Sequence, residues 1–473
     1  MITNSFAFYL KHMVHEEKPN QARSTLKKDE ISHLPNDLTC QILSLLSTKE
    51  AVKTSVLSTR WRHLWLSLPS LELRSREFSG LKSFTTFGDR FFNSNSISCI
   101  QKVKLTIDIK DVDDGYCLTS WFDAAVKRKI QHLHVHSYSY ADRRFNKMPQ
   151  RLYNCETLVC LKLFQVALAD AEFVSLPSLK AMYLEYIEFP NEATFETLVL
   201  CSPALECLKI VVSGDDEKVF RVHSRSLKRL TFDRVSPSVF DSAGVVIDAP
   251  RLCFMTIKDN VSKSFIIHNI ESNSVLEISL IGFVRSIEIE DEFFDDMYDE
   301  YVPLRRSNIH KFLHAISMAK SMKISRGTFK IMCHYTKLEP LPQFGNMSYL
   351  DITLCLHDFQ WLPAFLESFP NLKYLVLVCD DREEDHDVPS EEIDQVSFSS
   401  VPECLVSSLE FVDLIAPVQY DVEMKLVKYL LKNSAVLEKL ILRLASNNSR
   451  RDDRLKKLVK FPRASTKCKV VIL

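Results

Sequence analysis

The feature that most constrains the fold of this chain is a phrase of the form L-x-x-L-x-L that recurs from Ile100 onward. It reads Ile130/Leu133/Val135, Leu158/Leu161/Leu163, Leu179/Met182/Leu184, Leu205/Leu208/Ile210, Leu227/Leu230/Phe232, Leu252/Met255/Ile257 and Val275/Ile278/Leu280. Successive first positions lie 21 to 28 residues apart, a period at which one short strand and one returning segment stack on their neighbours. No such unit can bury its apolar edge alone, so the repeats predict a solenoid in which each coil covers the next. Further phrases at Met322/Ile324, Met347/Leu350/Ile352 and Leu372/Leu375/Leu377 continue the array after a break. Inside the break, Ile309, Phe312, Leu313 and Ile316 stand at helical spacing and predict a return helix over 308–316.

In such a strand the L-x-L side chains point inward and the residues between them point out. The concave face should then present Lys104, His132, His134, His136, Lys162, Phe164, Tyr183, Lys209, Arg229 and Lys258 as candidate target contacts, with Lys102, Glu185, Asp233 and Glu277 beside them. That mixture is mildly basic and aromatic, which suits a protein segment of acidic and aromatic character. The alternative is an ordinary solvated face, with recognition left to loops. Histidines at i, i+2 and i+4 can hold zinc when a fourth ligand completes the site. No acidic second shell accompanies this trio, so it predicts a solvent-facing surface with no metal and no cofactor.

Composition narrows the function classes. A chain of 473 residues exceeds one compact core, so two or three units are expected. Lys and Arg number 60 against 61 Asp and Glu, which argues against nucleic-acid or membrane binding driven by bulk charge. No apolar run is long enough to span a bilayer, and FAFYL at 6–10 is too short for a signal peptide and is followed by Lys11. The expected location is the cytoplasm, the nucleus or both, where the 13 cysteines, none in a C-x-x-C pair, stay reduced. Only 8 glycines occur, none within a G-x-G-x-x-G, P-loop or G-x-S-x-G motif, and H-E-x-x-H is absent. No catalytic residue is assigned. Acidic stretches at 288–300 and 380–394 lack the turn glycine of a calcium loop and are expected to be solvated insertions.

Residues 31–68, ISHLPNDLTCQILSLLSTKEAVKTSVLSTRWRHLWLSL, encode three short amphipathic helices. The first should begin at Leu34-Pro35 and carry Leu38, Ile42, Leu45 and Leu46 on one stripe. Ser47-Thr48-Lys49-Glu50 has capping-box spacing and should start the second, through Ala51, Val52, Ser55 and Val56. Ser58 can cap the third, where Trp61, Leu64, Trp65 and Leu68 fall at i, i+3, i+4 and i+7. Two indoles on one face with little to cover them suggest an interface anchor. The LP-x-x-L, I-L-x-x-L and V-L-S-x-R-W-R-x-L-W elements together resemble an F-box of the plant type. The resemblance implies docking onto the Skp-type adaptor of a cullin-RING ubiquitin ligase, with Leu34, Pro35, Leu38, Ile42, Val52, Leu57, Trp61, Leu64 and Trp65 as contact and core positions.

The last 75 residues resemble the FBD domain in Val401-Pro-Glu-Cys-Leu, Ser408-Leu-Glu-Phe, the apolar Leu426, Val427, Leu430 and Leu431, the strand at Leu437/Leu440/Leu442, a basic helix over 450–460 and the closing FPRAST. This unit is expected to continue the repeat and close the open sheet edge. The expected organisation is α/β: a disordered tail at 1–28, a three-helix F-box at 29–75, an irregular leucine-rich-repeat solenoid at 76–397 and an FBD unit at 398–473. Over nearly the whole chain this is similar to the plant F-box/leucine-rich-repeat/FBD family, which implies a non-catalytic substrate receptor of an SCF-type ligase. Its partners would be the adaptor, cullin and RING subunits through it, and an unknown target protein. A small-molecule-dependent receptor of the same architecture, or an adaptor-binding protein with no degraded target, are the alternatives.

Overall fold

Ser47 opens a helix because its side chain and that of Glu50 cap each other. The Glu50 amide donates to Ser47 Oγ at 3.3 Å and the Ser47 amide donates to Glu50 Oε2 at 3.1 Å, the reciprocal arrangement that the S-x-x-E spacing predicts. This helix is α2 (Thr48–Lys53), preceded by α1 (Asn36–Ser44), which Pro35 leads into and whose first turn holds Asp37. The structure, a computed structural model, is described over residues 34–94, 100–108, 116–138, 146–213, 218–235, 244–259, 265–268, 270–280, 302–337, 339–379, 397–398, 400–416, 421–444, 458 and 460–473. The expected tail at 1–28, both acidic stretches and nearly all of the basic helix at 450–460 lie outside these residues. Contacts divide the chain into two compact units, Met1–Trp65 and Leu66–Leu473.

In the first unit the expected third α-helix is absent. Thr54–Val56 and Trp61–Ser67 wind instead as 3-10 turns. Arg60 ties this segment to the start of α1: its guanidinium donates to Asn36 Oδ1 at 2.9 and 3.1 Å and to the Leu34 carbonyl. The face of α1 turned inward is Thr39 and Leu43, not the Leu38 stripe. Burying Thr39 costs little because its hydroxyl donates to the Pro35 carbonyl at 3.1 Å.

The second unit is built from the repeat phrase. Fifteen parallel strands follow one another in sequence order without crossovers. They are β1 (Ser70–Arg74), β2 (Lys102–Ile107), β3 (His132–Ser137), β4 (Cys160–Phe164), β5 (Ala181–Glu185), β6 (Cys207–Ser213), β7 (Arg229–Val235) and β8 (Phe254–Asp259). The sheet continues through β9 (Val275–Leu280), β10 (Ser321–Ile324), β11 (Tyr349–Leu354), β12 (Tyr374–Cys379), β13 (Phe411–Ala416), β14 (Lys439–Leu444) and β15 (Lys469–Ile472). Pairing aligns the L-x-L side chains into two unbroken rows. One runs Val103, Leu133, Leu161, Met182, Leu208, Leu230, Met255, Leu276, and the other Leu105, Val135, Leu163, Leu184, Ile210, Phe232, Ile257, Ile278. All of them are buried, each worth about 1.5–3 kcal/mol of transfer free energy.

Return segments complete the core. The predicted helix at 308–316 is the C-terminal part of α6 (Val302–Ile316), with Ile309, Phe312, Leu313 and Ile316 buried. Before it come α3 (Leu81–Phe92), α4 (Tyr116–Lys127) and α5 (Glu192–Leu200). Trp121 of α4 stacks on Phe92 of α3 at 5.4 Å and donates its indole N–H to Asp89 at 2.7 Å. That packing needs Gly88, because a Cβ there would collide with the indole ring.

The sheet starts at β1, Ser70–Arg74, at the end of the expected F-box span, where Leu68/Leu71/Leu73 carries the repeat spacing and all three leucines are buried. One expectation is corrected. Val275 is not an inward repeat position: the ladder takes Leu276 and Ile278, which leaves Val275 on the outer face at 39% exposure. The C-terminal residues continue the repeat as expected: they extend the sheet by β13, β14 and β15, with α7 (Glu403–Ser407) and α8 (Asp421–Asn433) as returns, and β15 is its terminal strand, with side chains exposed or half-buried.

Candidate functional site

The first unit leaves apolar side chains in solvent. Leu45 is 78% exposed, Val56 87% and Leu57 65%, and Leu38 lies on the same outer face of α1 as Leu45. Of the other expected contacts, Pro35 is exposed and Leu34, Ile42 and Val52 are half-buried. Trp61, Leu64 and Trp65 are buried within the chain, with Trp65 at 3% exposure. The expectation of two uncovered indoles is therefore corrected: with three residues per turn in the 3-10 segment, i and i+4 no longer share a face, and no protruding Trp stripe forms. These side chains are core. The candidate docking face is the leucine and valine surface.

On the sheet, alternation places the predicted residues on the exposed face of β2–β6. Lys104, His134, Lys162, Tyr183 and Lys209 fall in one row across five adjacent strands, so neighbours in the row stand about 4.8 Å apart. His132 and His136 flank His134 along β3, and Phe164 stands beside His136 in register. Arg229 lies one strand further, next to Cys207, whereas Lys258 sits on β8, away from the rest. Two of the cations are partly neutralised: Lys104 pairs with Glu72 and Lys209 with Glu185, each at 2.8–2.9 Å. Lys162 instead lies over the Tyr183 ring at 4.4 Å, a cation–π contact.

Burial pushes the His134 imidazole down to about 4, helped by Lys162, Lys102, His132 and Lys104 around it. His134 is thus neutral at physiological pH and offers a hydrogen-bond donor and acceptor rather than a charge. His136 is also lowered, chiefly by burial, and stacks on Phe164 at 3.9 Å. Tyr138 lies 4.4 Å from His136, and Tyr186 meets Phe164 edge-on at 5.6 Å. Gln165 and Tyr186, the residues that end β4 and β5, both hold positive φ of 51° and 55°. Such backbone costs a non-glycine residue about 1–2 kcal/mol, and the aromatic cluster is where it is concentrated.

Strands β11–β14 carry a second surface. Tyr349, Tyr374 and Phe411 align in register and stack at 5.3 and 5.6 Å with near-parallel rings. In the next outward row stand Lys323, Asp351, Val376, Asp413 and Ile441. Asp413 is held by Arg443, which donates from Nε at 3.0 Å and Nη2 at 2.9 Å. Sequence reasoning missed these residues although the signal was present. The phrases Met347/Leu350/Ile352 and Leu372/Leu375/Leu377 place 349, 351, 374 and 376 on the outer face by the same alternation.

Among the described residues, no group of three or more His, Cys, Asp or Glu could hold a metal ion, and no helix is long and apolar enough to cross a membrane. The described cysteines are free, and where their thiols are shifted they are shifted up, mostly by burial, as at Cys333, Cys355 and Cys404. That direction favours the inert thiol.

Comparison with known proteins agrees with this layout. Residues 31–73 match the F-box domain, residues 118–293 match the LRR repeats of the FBD-associated F-box protein At5g56370, and residues 395–442 match FBD. A relative from Arabidopsis thaliana whose name describes an FBD-associated F-box protein, At5g53635, is 50% identical over 453 residues, covering 94% of this chain and all of the relative. A second, described as an F-box/FBD/LRR-repeat protein, At2g05300, is 48% identical over 456 residues, covering 95% of this chain and 98% of its own length. The F-box/FBD/LRR-repeat protein At5g22660 of the same plant is 39% identical, covering 94% of this chain and 97% of itself. With an F-box, a repeat sheet and an FBD segment in that order, and relatives of this identity spanning nearly its full length, the chain belongs to the F-box/FBD/LRR-repeat family.

Proposed function

We propose that this protein is a substrate-recognition subunit of an SCF-type cullin-RING ubiquitin ligase, working in the cytoplasm or nucleus. The F-box unit docks a Skp-type adaptor and, through it, the cullin and RING subunits, and the sheet holds the target protein. The observation that carries the reading is the set of exposed Leu38, Leu45, Val56 and Leu57 on the unit that matches the F-box domain. Large apolar side chains in solvent stabilise nothing in the free chain and gain about 1.5–3 kcal/mol each when a partner covers them. Leu34, Pro35, Ile42 and Val52 border the same surface. Catalysis by this subunit is proximity: holding target and adaptor together raises the effective concentration of target lysines near the charged ubiquitin-conjugating enzyme.

On the sheet, the target meets the row Lys104, His134, Lys162, Tyr183 and Lys209, flanked by His132, His136, Phe164 and Arg229. Excess positive charge with the neutral His134 and stacked rings fits an acidic, aromatic-bearing segment. Lys258 contributes separately if the segment extends to β8. The deciding experiment is co-purification of the full chain with a Skp-type adaptor. Leu45→Asp with Leu57→Asp is expected to abolish adaptor recovery while the thermal midpoint stays at the wild-type value. Undiminished recovery from that double variant would overturn the assignment.

A further inference from the structure

The exposed face of β11–β13 has three properties that a merely solvated surface does not need. Its rings form a continuous ladder, Tyr349, Tyr374 and Phe411. Its apolar side chains go on outward through Val378, half-buried, and Ile415, 36% exposed. Its central carboxylate, Asp351, is only 13% exposed, its Oδ2 lies a long 3.9 Å from Lys323, and its Oδ1 is buried with no hydrogen-bond partner. A buried carboxylate oxygen without a donor costs about 1–3 kcal/mol, and on a surface next to open aromatic rings that cost is offset when a ligand brings a cation to the carboxylate. Ser321 is the neighbour of Tyr349 on the side away from Tyr374, so no ring covers the outer face of the ladder's first member. Charge in this half points the same way. Burial and the carboxylates Glu277 and Asp413 raise the Asp351 carboxyl against the effect of Lys323.

We propose that the Tyr349/Tyr374/Phe411 ladder and Asp351 form a second docking site that takes a basic, extended segment of the target protein. A Lys or Arg side chain of that segment lies over the open face of Tyr349 and places its charged head on the reachable edge of the Asp351 carboxylate, at Oδ2, which Lys323 meets only at 3.9 Å, and an apolar residue of the segment covers Val378 and Ile415. A cation of this shape satisfies both the ring quadrupole and the carboxylate at once; an acidic segment would satisfy neither. This deepens the receptor reading, on which the identity of the occupant as target rests. It also gives the sheet two aromatic surfaces, a basic one at β2–β6 and one at β11–β13 that carries the Asp351 carboxylate.

The test is fluorescence anisotropy of the full-length protein with two labelled twelve-residue probes, one alternating Arg and Leu and one alternating Glu and Leu. The Arg probe is expected to bind wild type at least tenfold more tightly than the Glu probe does at this site and to lose at least tenfold in affinity in Asp351→Asn and in Ile415→Lys, while Lys180→Gln leaves its affinity unchanged. Ile415→Lys changes an exposed side chain and keeps the test informative if Asp351→Asn alters folding. Absence of Arg-probe binding to wild type, or Arg-probe affinity in both site variants equal to that of wild type, overturns the proposal. So does salt-dependent self-association of wild type that Ile415→Lys abolishes, because the occupant is then a second copy of this chain. None of these outcomes involves the adaptor, so failure here and failure of the receptor reading are told apart by the co-purification with Leu45→Asp and Leu57→Asp.

Discussion

Leucine has opposite meanings in the two compact units. In the repeat sheet, Leu163 sits in a ladder with Val135 on one side and Leu184 on the other, 1% exposed. In the F-box unit, Leu57 stands 65% exposed beyond a short 3-10 turn. The same side chain is structural in the first place and available for binding in the second, and the difference arises from whether a neighbouring strand repeats the pattern. A strand's apolar row is completed by the next coil of the same chain. Nothing in the F-box unit repeats, so its outer face has no such neighbour to complete it.

Four substitutions probe that contrast, one of them a near-neutral control and the other three in falling order of effect. Leu163→Ala should lower unfolding free energy by about 2–5 kcal/mol, measured by urea denaturation, whereas Leu57→Ala should stay within about 0.5 kcal/mol of wild type. If Leu57→Ala cost as much as Leu163→Ala, the division between a sealed sheet and an open docking face would be wrong. Gly88→Ala comes next, since a methyl group would press against the Trp121 ring; overpacking of this kind costs about 1–3 kcal/mol and should appear as a lowered thermal midpoint. The smallest effect is electrostatic. Because the fold holds His134 at about 4 against its ordinary 6.5, the unfolded chain takes up the proton first as pH falls. Stability from this group is complete above pH 6.5 and is lost between there and about pH 4. His134→Gln should lose less stability than wild type between pH 7 and pH 4.5, and a chemical-denaturation series showing no difference would mean that burial and the surrounding cations do not hold this imidazole down.

The repeat geometry was legible because it depends on a two-residue alternation that survives any return segment. The phrases fixed which side chains face out on β2–β8, and the capping box placed the start of α2 to the residue, though the helix ends at Lys53 and passes into a 3-10 turn instead of running through Val56. What the pattern could not deliver came from frame and from helix type. Val275 matches the phrase by residue type, yet pairing with Met255 requires Leu276, and only the neighbouring strand decides between the two frames. Trp61 and Trp65 have helical spacing, but the chain there takes three residues per turn, and that choice erased the expected stripe. Leu68/Leu71/Leu73 carries the repeat spacing directly behind the helical motif, so the first strand of the sheet lies at the end of the F-box span. The aromatic ladder at β11–β13 was within reach of the alternation rule; its stacking and the unpartnered Asp351 oxygen were not, since both depend on distances between coils.

The unbroken order of the fifteen strands means that each coil is answerable only to the coils on either side of it. A change on the outward row of β4 leaves the inner rows of β11 untouched, so the chain can revise what it recognises one stripe at a time without renegotiating its spine. The same locality makes the terminal coils the first to open: β15, bordered on one side alone, should exchange its amide hydrogens sooner than β6 or β7, and unfolding should travel inward from the ends like a zip.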